Sequence, residues 1–224
     1  GKDCFIIGNG PSLNKMNLEL LNDYYTFGLN KIFLIFDRMK LNLDYLVSIN
    51  PFVYAQSKDA FRNLKIIKFF AFNNIEKKDL YEDPLVNYLF IKKDGIYFSR
   101  DVRNFIGSGF TVTFTAMQLA YFMGFKRVFL VGIDHNFEQV GKANETQKME
   151  GDDVNHFDPD YFKGMEWQLA DLEGSEAGYG LAKYYFKNNN RQIFDSTIDG
   201  KLQIFDKISF EEALSICQKK DDVK

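Results

Sequence analysis

Short apolar runs recur along the chain and are separated by polar segments that often contain glycine. Runs at 4–7, 24–28, 45–49, 65–72 and 127–131 have the length of strands and are largely apolar throughout. Such runs are typical of parallel strands that are buried on both faces. A weaker run covers residues 88–91, and a last one covers residues 191–195. The pattern therefore predicts a mostly parallel sheet.

Helical spacing appears between these runs. Residues 111–123 carry apolar side chains on most faces, which predicts a buried helix that ends at Gly124. Residues 175–187 predict a second helix with Ser175 as its N-cap, and Pro11 suits the first turn of a shorter one. Strands that alternate with helices predict an α/β fold, a Rossmann-like open sheet flanked by helices.

Residues 138–163 break this alternation, because they are polar and acidic and show little periodicity. Loops of this length are usually functional, so we predict that this segment is a lid. No repeat or linker divides the chain, and residues 1–224 are predicted to form a single domain.

Composition and charge limit which partners and which cellular compartment we expect for this protein. The net charge of −3 offers no bulk attraction for nucleic acid, so we expect no nucleic-acid partner. Cys4 and Cys217 lack the spacing of a zinc site, and unpaired thiols fit a reducing, cytoplasmic compartment. No run approaches the roughly 20 apolar residues that span a bilayer. His135 and His156 are the only histidines, which limits acid–base chemistry near neutral pH.

Polar residues follow several predicted strands at their carboxyl ends. These are Gly8-Asn9-Gly10-Pro11-Ser12, Asn30, Asn50 and Gly132-Ile133-Asp134. Ligands of open parallel sheets bind outside those strand ends, where glycine allows close approach and a helix start favours anions. Gly107-Ser108-Gly109 precedes the predicted buried helix and is a second candidate anion site. Their coincidence predicts a nucleotide site.

The first glycine motif, taken alone, has a plainer interpretation. Leu13 stands where a dinucleotide fingerprint needs its third glycine, and no Gly-Lys-Ser/Thr of a P-loop follows. A tight turn with a helix cap would explain the motif equally well.

The ordered set of motifs resembles that of the metal-independent bacterial sialyltransferases that use CMP-sialic acid. The likeness is carried by Gly8-Asn9-Gly10-Pro11-Ser12-Leu13, Asn30, Asn50-Pro51-Phe52, Ser108-Gly109, Gly132-Ile133-Asp134 and Asn155-His156-Phe157. Related motifs occur in motility-associated flagellin glycosyltransferases and in archaeal hydroxymethylpterin diphosphokinase, which the ending at 195–202 resembles more. The resemblance covers residues 4–205 and implies a GT-A-like variant of the Rossmann-like fold.

The resemblance also implies roles for individual residues. Asn9 and Ser12 would contact the nucleoside phosphate beside Gly8 and Gly10. Hydroxyls of ribose or sugar would be held by Asn30 and Asn50, and the nucleotide and the sugar carboxylate would be contacted by Ser108 and Gly109. Asp134 would lie near ribose or base, and His156 would be the general base. The family's arginine is replaced by Phe105, with Arg103 nearby, and its tyrosines after Gly-Ile-Asp are replaced by His135 and Asn136. Tyr161 of the lid is the candidate substitute for those tyrosines. Backbone N–H groups, Lys31 or hydroxyls would stabilise the departing phosphate without a metal.

The implied function is a bacterial glycosyltransferase of polysaccharide biosynthesis. It would move a sugar, sialic acid or another nonulosonic acid, from a nucleotide-linked donor, CMP-linked first, to a glycan or glycoprotein acceptor. No metal or further cofactor is required. An aromatic-rich surface would permit a homo-oligomer, and segments outside this chain would permit peripheral membrane association.

Three alternatives stay open. The first is a hydroxymethylpterin diphosphokinase-like enzyme that uses ATP and Mg²⁺, for which acidic side chains of the lid, Asp152, Asp153, Asp158 and Asp160, together with His156, offer ligands. The second is a nucleotide- or glycan-binding module without turnover. The third concerns His156 alone, which could be a solvated lid histidine.

Overall fold

Eight strands form one sheet in a computed structural model that describes residues 1–220. The strands of the chain are β1 (Asp3–Ile7), β2 (Tyr25–Leu29), β3 (Tyr45–Ser48), β4 (Ile67–Ala71), β5 (Val86–Leu89), β6 (Ile91–Lys92), β7 (Ile106–Gly107), β8 (Arg127–Val131), β9 (Thr146–Lys148), β10 (Glu166–Gln168), β11 (Gln192–Asp195) and β12 (Asp206–Lys207). The main sheet has the order β12-β11-β8-β1-β2-β3-β4-β5, and every neighbouring pair is parallel. The predicted Rossmann-like, mostly parallel sheet is confirmed.

Helices cover both faces of this sheet. They are α1 (Pro51–Asn63), α2 (Val112–Phe122), α3 (Leu172–Lys187) and α4 (Phe210–Ile216), and short 3₁₀ segments lie at Pro11–Lys15, Leu18–Asp23, Ile32–Ile35, Phe72–Asn74 and Lys77–Asp79. The predicted buried helix is α2, in which residues 113–121 are all buried. The predicted N-cap of the next helix is wrong: α3 begins earlier, because the Asp171 side chain accepts a hydrogen bond from Gly174 N–H.

Two apolar layers hold the sheet between the helices. Along β1, Cys4 and Ile6 face the layer that includes α2 and α3, whereas Phe5 and Ile7 face the layer that includes α4. The period of two explains why an apolar run without polar interruption forms this strand, since both of its faces are buried. Burial on both faces therefore holds β1 in the centre of the sheet.

The strand order changes direction at β1. The chain leaves β1 towards β2 on one side, whereas β8 pairs with β1 on the other side. The loops after β1 and β8 consequently diverge from adjacent strand ends, which is the topological switch point where open α/β sheets bind ligands.

The lid, residues 138–163, has more structure than the predicted loop. Its strand β9 pairs antiparallel with β10, and Met149 forms an isolated bridge with Lys163. Phe157, Tyr161 and Phe162 are buried. Hydrophobic packing therefore anchors the lid on the carboxyl ends of the strands. Across residues 1–220, none of the helices has the length and apolar character needed to cross a membrane.

Candidate active site

A cleft of about 480 Å³ opens at the switch point between β1 and β8. Its walls are the loops that follow β1, β2, β3 and β8, the first turns of three helices, and part of the lid. Of the predicted site residues, eight line this cleft: Gly8, Asn9, Gly10, Asn30, Asn50, Ser108, Asp134 and His156. The structure thus brings together residues that lie up to 148 positions apart in the sequence.

The glycines after β1 allow two loops to pack in direct contact. Gly8 N–H donates to Val131 C=O at 2.8 Å, and Gly10 N–H donates to Gly132 C=O at 2.9 Å. A Cβ at Gly8 would overlap the Gly132 carbonyl oxygen, and one at Gly10 would overlap the Asp134 carboxylate. These two N–H groups already donate to backbone carbonyls of the protein. Glycine is required at both positions because the two loops pack too closely to leave room for a side chain.

Asp134 holds the start of the first 3₁₀ segment. Its carboxylate accepts from Ser12 N–H at 3.0 Å and from Ser12 Oγ–H at 2.6 Å. Burial raises the pKa of Asp134, while the hydrogen bonds from Ser12 oppose that rise. Asp134 lines the cleft, but Ser12 is buried behind it. The contacts predicted for both with a nucleotide stay predictions.

Three of the asparagines that line the cleft are the predicted ones, which follow β1, β2 and β3. Asn9 Nδ2 donates to Leu29 C=O, and its buried Oδ1 has no hydrogen-bond partner among the described residues. Asn30 has a positive φ of 48°, and its Oδ1 accepts from Ser48. Asn50 is the N-cap of α1, accepting from Phe52 and Val53 N–H. An unpartnered buried acceptor is costly, and Asn9 Oδ1 is such an acceptor in the wall of the cleft.

Three helices begin at the cleft. Asn50, Thr111 and Asp171 are the N-caps of α1, α2 and α3, and all three line it. Unsatisfied N–H groups and the helix dipole make the termini of α1 and α2, which carry neutral caps, suited to anions. Ser108 lies at the approach to α2 and lines the cleft, whereas Gly109 packs against the Phe114 ring and does not.

Among the lysines and arginines of the described part of the chain, Lys93 alone lines the cleft. Arg103, the candidate replacement for the family's arginine, pairs instead with Asp101 at 2.6 Å and is exposed. Arg103 therefore does not replace, at the cleft, the arginine that the family carries before its Ser-Gly pair.

His156 is held by a buried carboxylate. Its Nδ1 lies 2.8 Å from Asp153 Oδ2, and the Asp153 side chain is fully buried. Asp153 Oδ1 also accepts from Asn155 N–H at 3.0 Å. A carboxylate only accepts here, so Nδ1 carries a proton, and the neutral form of the ring has its lone pair on Nε2. Because the ring is 13% exposed and lines the cleft, the interpretation of His156 as a solvated histidine is wrong.

Lys31 and Tyr161 lie behind the cleft and join the lid to β2. Lys31 Nζ donates to the Tyr161 carbonyl at 2.8 Å, and Lys31 N–H donates to the Tyr161 hydroxyl at 3.1 Å. The Tyr161 ring stacks on the His156 ring with centroids 4.0 Å apart. Neither Lys31 nor Tyr161 lines the cleft, and a contact of either with a departing phosphate stays a prediction.

Lys31 also predicts a pH dependence of stability. Burial lowers its pKa to about 8, although the charge of Asp153 opposes this. Between pH 8 and 10.5 the unfolded chain binds more protons at this side chain, so the folded state gains stability as the pH rises. Relative to Lys31→Met, the free energy of unfolding of the unchanged protein should rise by about 2 kcal/mol from pH 7 to 10. Urea unfolding at several pH values measures this, and parallel curves for both proteins would contradict it.

Three of the acidic residues of the lid pair with basic side chains. Asp152 and Asp160 both pair with Lys163, at 2.7 and 3.2 Å, and Asp158 lies 3.9 Å from Arg38. Over residues 1–220, no three side chains of His, Cys, Asp or Glu are grouped so that they could hold a metal ion. The ligand set considered for Mg²⁺ in the lid is therefore not gathered in this arrangement.

Known proteins share this fold. Residues 1–140 match the family described as 6-hydroxymethylpterin diphosphokinase MptE-like. A comparison with curated protein sequences gives no match. The MAf glycosyltransferase from Magnetospirillum magneticum AMB-1 has a TM-score of 0.60 and 16% identity over 98% of this chain and 34% of that chain. This chain thus spans about a third of that protein's length.

A second solved structure is covered almost completely. The sialyltransferase CstII from Campylobacter jejuni, in complex with the substrate analogue CMP-3FNeuAc, has a TM-score of 0.56 and 14% identity over 100% of this chain and 93% of that chain. Likeness at such identity establishes the fold. Together with the family match, it confirms the resemblance predicted from the order of the motifs.

Proposed function

We propose that this chain, which belongs to the 6-hydroxymethylpterin diphosphokinase MptE-like family, is a glycosyltransferase that uses a nucleotide-linked sugar. The observation that carries the proposal is the pair of Asp153 and His156 at the cleft. Asp153 fixes the proton on Nδ1, which leaves Nε2 as a base beside the switch-point loops. The fold shared with two glycosyltransferases supports the same reaction class.

In the proposed reaction, His156 Nε2 removes the proton from an acceptor hydroxyl. The acceptor oxygen then forms a bond to the anomeric carbon of the donor sugar. The bond from that carbon to the phosphate oxygen breaks, and its electron pair leaves with the nucleoside phosphate. A positioned base typically contributes 10²–10⁴-fold to such a step.

The negative charge that develops on the departing phosphate meets the first turns of helices that begin at Asn50 and Thr111. Lys93 adds a positive charge on the cleft wall. No metal ion or further cofactor is required in this proposal. We take the donor to be a CMP-linked nonulosonic acid and the acceptor to be a glycan or glycoprotein, because one structural neighbour is a sialyltransferase in complex with the substrate analogue CMP-3FNeuAc.

The donor nucleotide can be identified by thermal shift with CMP, CDP, UDP, GDP and ATP. We expect CMP to raise the melting temperature most, since a ligand at 100 times its Kd adds about 2.7 kcal/mol to the stability of the native state. A sugar-transfer assay with the matching donor then tests turnover. Stabilisation by none of the five nucleotides would contradict the proposed donor site.

The family description favours one second candidate, transfer of diphosphate from ATP to a hydroxymethylpterin. Incubation with ATP and 6-hydroxymethylpterin, with and without EDTA, separates the two reactions. AMP release that EDTA abolishes would support the diphosphokinase and overturn the glycosyltransferase. Transfer that is insensitive to EDTA, from a CMP-linked donor, would do the reverse.

A further inference from the structure

Phe110 stands in an unusual backbone conformation at the mouth of the cleft. It has a φ of 59°, and Gly109 before it has a φ of 50°. A left-handed conformation is uncommon for any residue other than glycine and is a genuine outlier for a bulky one. The side chain is 48% exposed, so burial in the core does not offset this strain. Residues held in this way concentrate at ligand sites.

The unusual conformation lays the Phe110 ring over the first turn of α3. A Cβ on Gly174 would come within 2.6 Å of the Phe110 ring and within 2.9 Å of the Asp171 carboxylate carbon. The ring and the carboxylate therefore meet above Gly174, which has no side chain to separate them. Both Phe110 and Asp171 line the cleft.

Asp171 is fixed in place by bonds on both carboxylate oxygens. Oδ1 accepts from Gly174 N–H at 2.8 Å, and Oδ2 accepts from Asn144 Nδ2 at 2.8 Å. Each carboxylate oxygen can accept a second hydrogen bond, so acceptor capacity remains towards the cleft. A carboxylate repels phosphate and attracts an amino group. This corner therefore fits a ring that carries an amino group better than it fits the phosphates.

We propose that Phe110 and Asp171 form a subsite for a planar nitrogen heterocycle with an exocyclic amino group. The Phe110 ring stacks on the heterocycle, and the Asp171 carboxylate accepts a hydrogen bond from the amino group. In the donor named above, that ring is the nucleobase. The inference rests on the proposed function and deepens it, since it selects cytosine over uracil. Exposed aromatic faces bind planar rings by stacking, and removal of such a platform weakens binding of a base by about 5- to 150-fold.

Calorimetric titration with CMP, UMP and ribose 5-phosphate tests this subsite. We expect Phe110→Ala to weaken CMP about tenfold and to leave ribose 5-phosphate within twofold, while Phe110→Tyr keeps the affinity for CMP. Asp171→Asn preserves an N-cap for α3, since Asn caps as well as Asp. It should weaken CMP about fivefold and leave UMP unchanged.

The outcomes separate the subsite from the proposed function. If the unchanged protein binds CMP and Phe110→Ala binds it equally well, the subsite is wrong and the glycosyltransferase proposal stands. Equal losses for CMP and ribose 5-phosphate would show that Phe110 acts through the fold, which also overturns the subsite. If the unchanged protein binds none of the three ligands, the donor site and the subsite fall together.

Discussion

Replacing His156 with alanine is expected to lower the rate of sugar transfer by 10²–10⁴-fold and to leave the affinity for the donor nucleotide within about twofold. The expectation follows from the role of Nε2 as a base, which matters in the transition state and contributes little to ground-state binding. Single-turnover transfer measures the first quantity, and calorimetric titration with the nucleotide measures the second. An equal loss in transfer rate and in nucleotide affinity would show that the substitution disrupts the structure of the cleft, which would contradict the role of His156 as the base.

Asp153→Asn tests whether the carboxylate sets the tautomer of His156. The asparagine keeps the shape of the buried group but offers an N–H where Oδ2 accepts from Nδ1 at 2.8 Å. His156 would then carry its proton on Nε2, which removes the base from the cleft. We expect a loss of about 10²-fold in transfer without a change in nucleotide affinity.

His135 provides the contrast within the same cleft. Its Nε2 lies 2.9 Å from Glu176 Oε1, so this nitrogen is engaged rather than presented to a substrate. His135→Gln retains a group that can bond Glu176 and is expected to reduce transfer less than tenfold. If His135→Gln lowered the transfer rate as much as His156→Ala, the assignment of His156 as the base would be contradicted.

The candidate site was only partly readable from the sequence. Strand-end glycines and asparagines predict the cleft, because carboxyl ends of parallel strands share one edge of the sheet. The pairing of Asp153 with His156 has a local signal, a spacing of three residues, but four acidic residues near His156 made the partner ambiguous. Phe110 gives no such signal, since its positive φ and its contact with Gly174 arise only from packing.

The fold was predicted where burial alone determines the pattern. Strands β1, β2, β3, β8 and β11 agree with the predicted runs to within one residue at each end. Helix α1 was missed because its apolar residues Val53, Tyr54 and Phe61 are interrupted by polar ones. Asn50-Pro51 is a sufficient start signal for it, an N-cap followed by proline at the first helical position. Strand-end asparagines thus carry structural as well as chemical information.

Gly8→Ala is expected to destabilise the protein by about 3 kcal/mol and to abolish measurable nucleotide binding. The new Cβ would overlap the carbonyl oxygen of Gly132, a backbone atom that cannot rotate away, and would press on Ile133 Cδ1. Overpacking of this kind costs about 1–3 kcal/mol and more where backbone must move. The hydrogen bond from Gly8 N–H to Val131 C=O would lengthen, so the loops that carry Asn9 and Asp134 would separate.

Gly180→Ala supplies the matched control for that substitution. Gly180 lies inside α3, and nothing comes within 4 Å of a Cβ built there. The same change of one methyl group should therefore stabilise the protein by about 0.5–1 kcal/mol, since alanine favours the helix. In a chain of this size, Gly8→Ala should lower the melting temperature by about 6–12 °C and Gly180→Ala should raise it by about 1–4 °C. Changes in stability of opposite sign would show that contact between the loops after β1 and β8, rather than loss of glycine as such, holds the cleft together. A similar small change in stability at both positions would contradict the packing observed at Gly8.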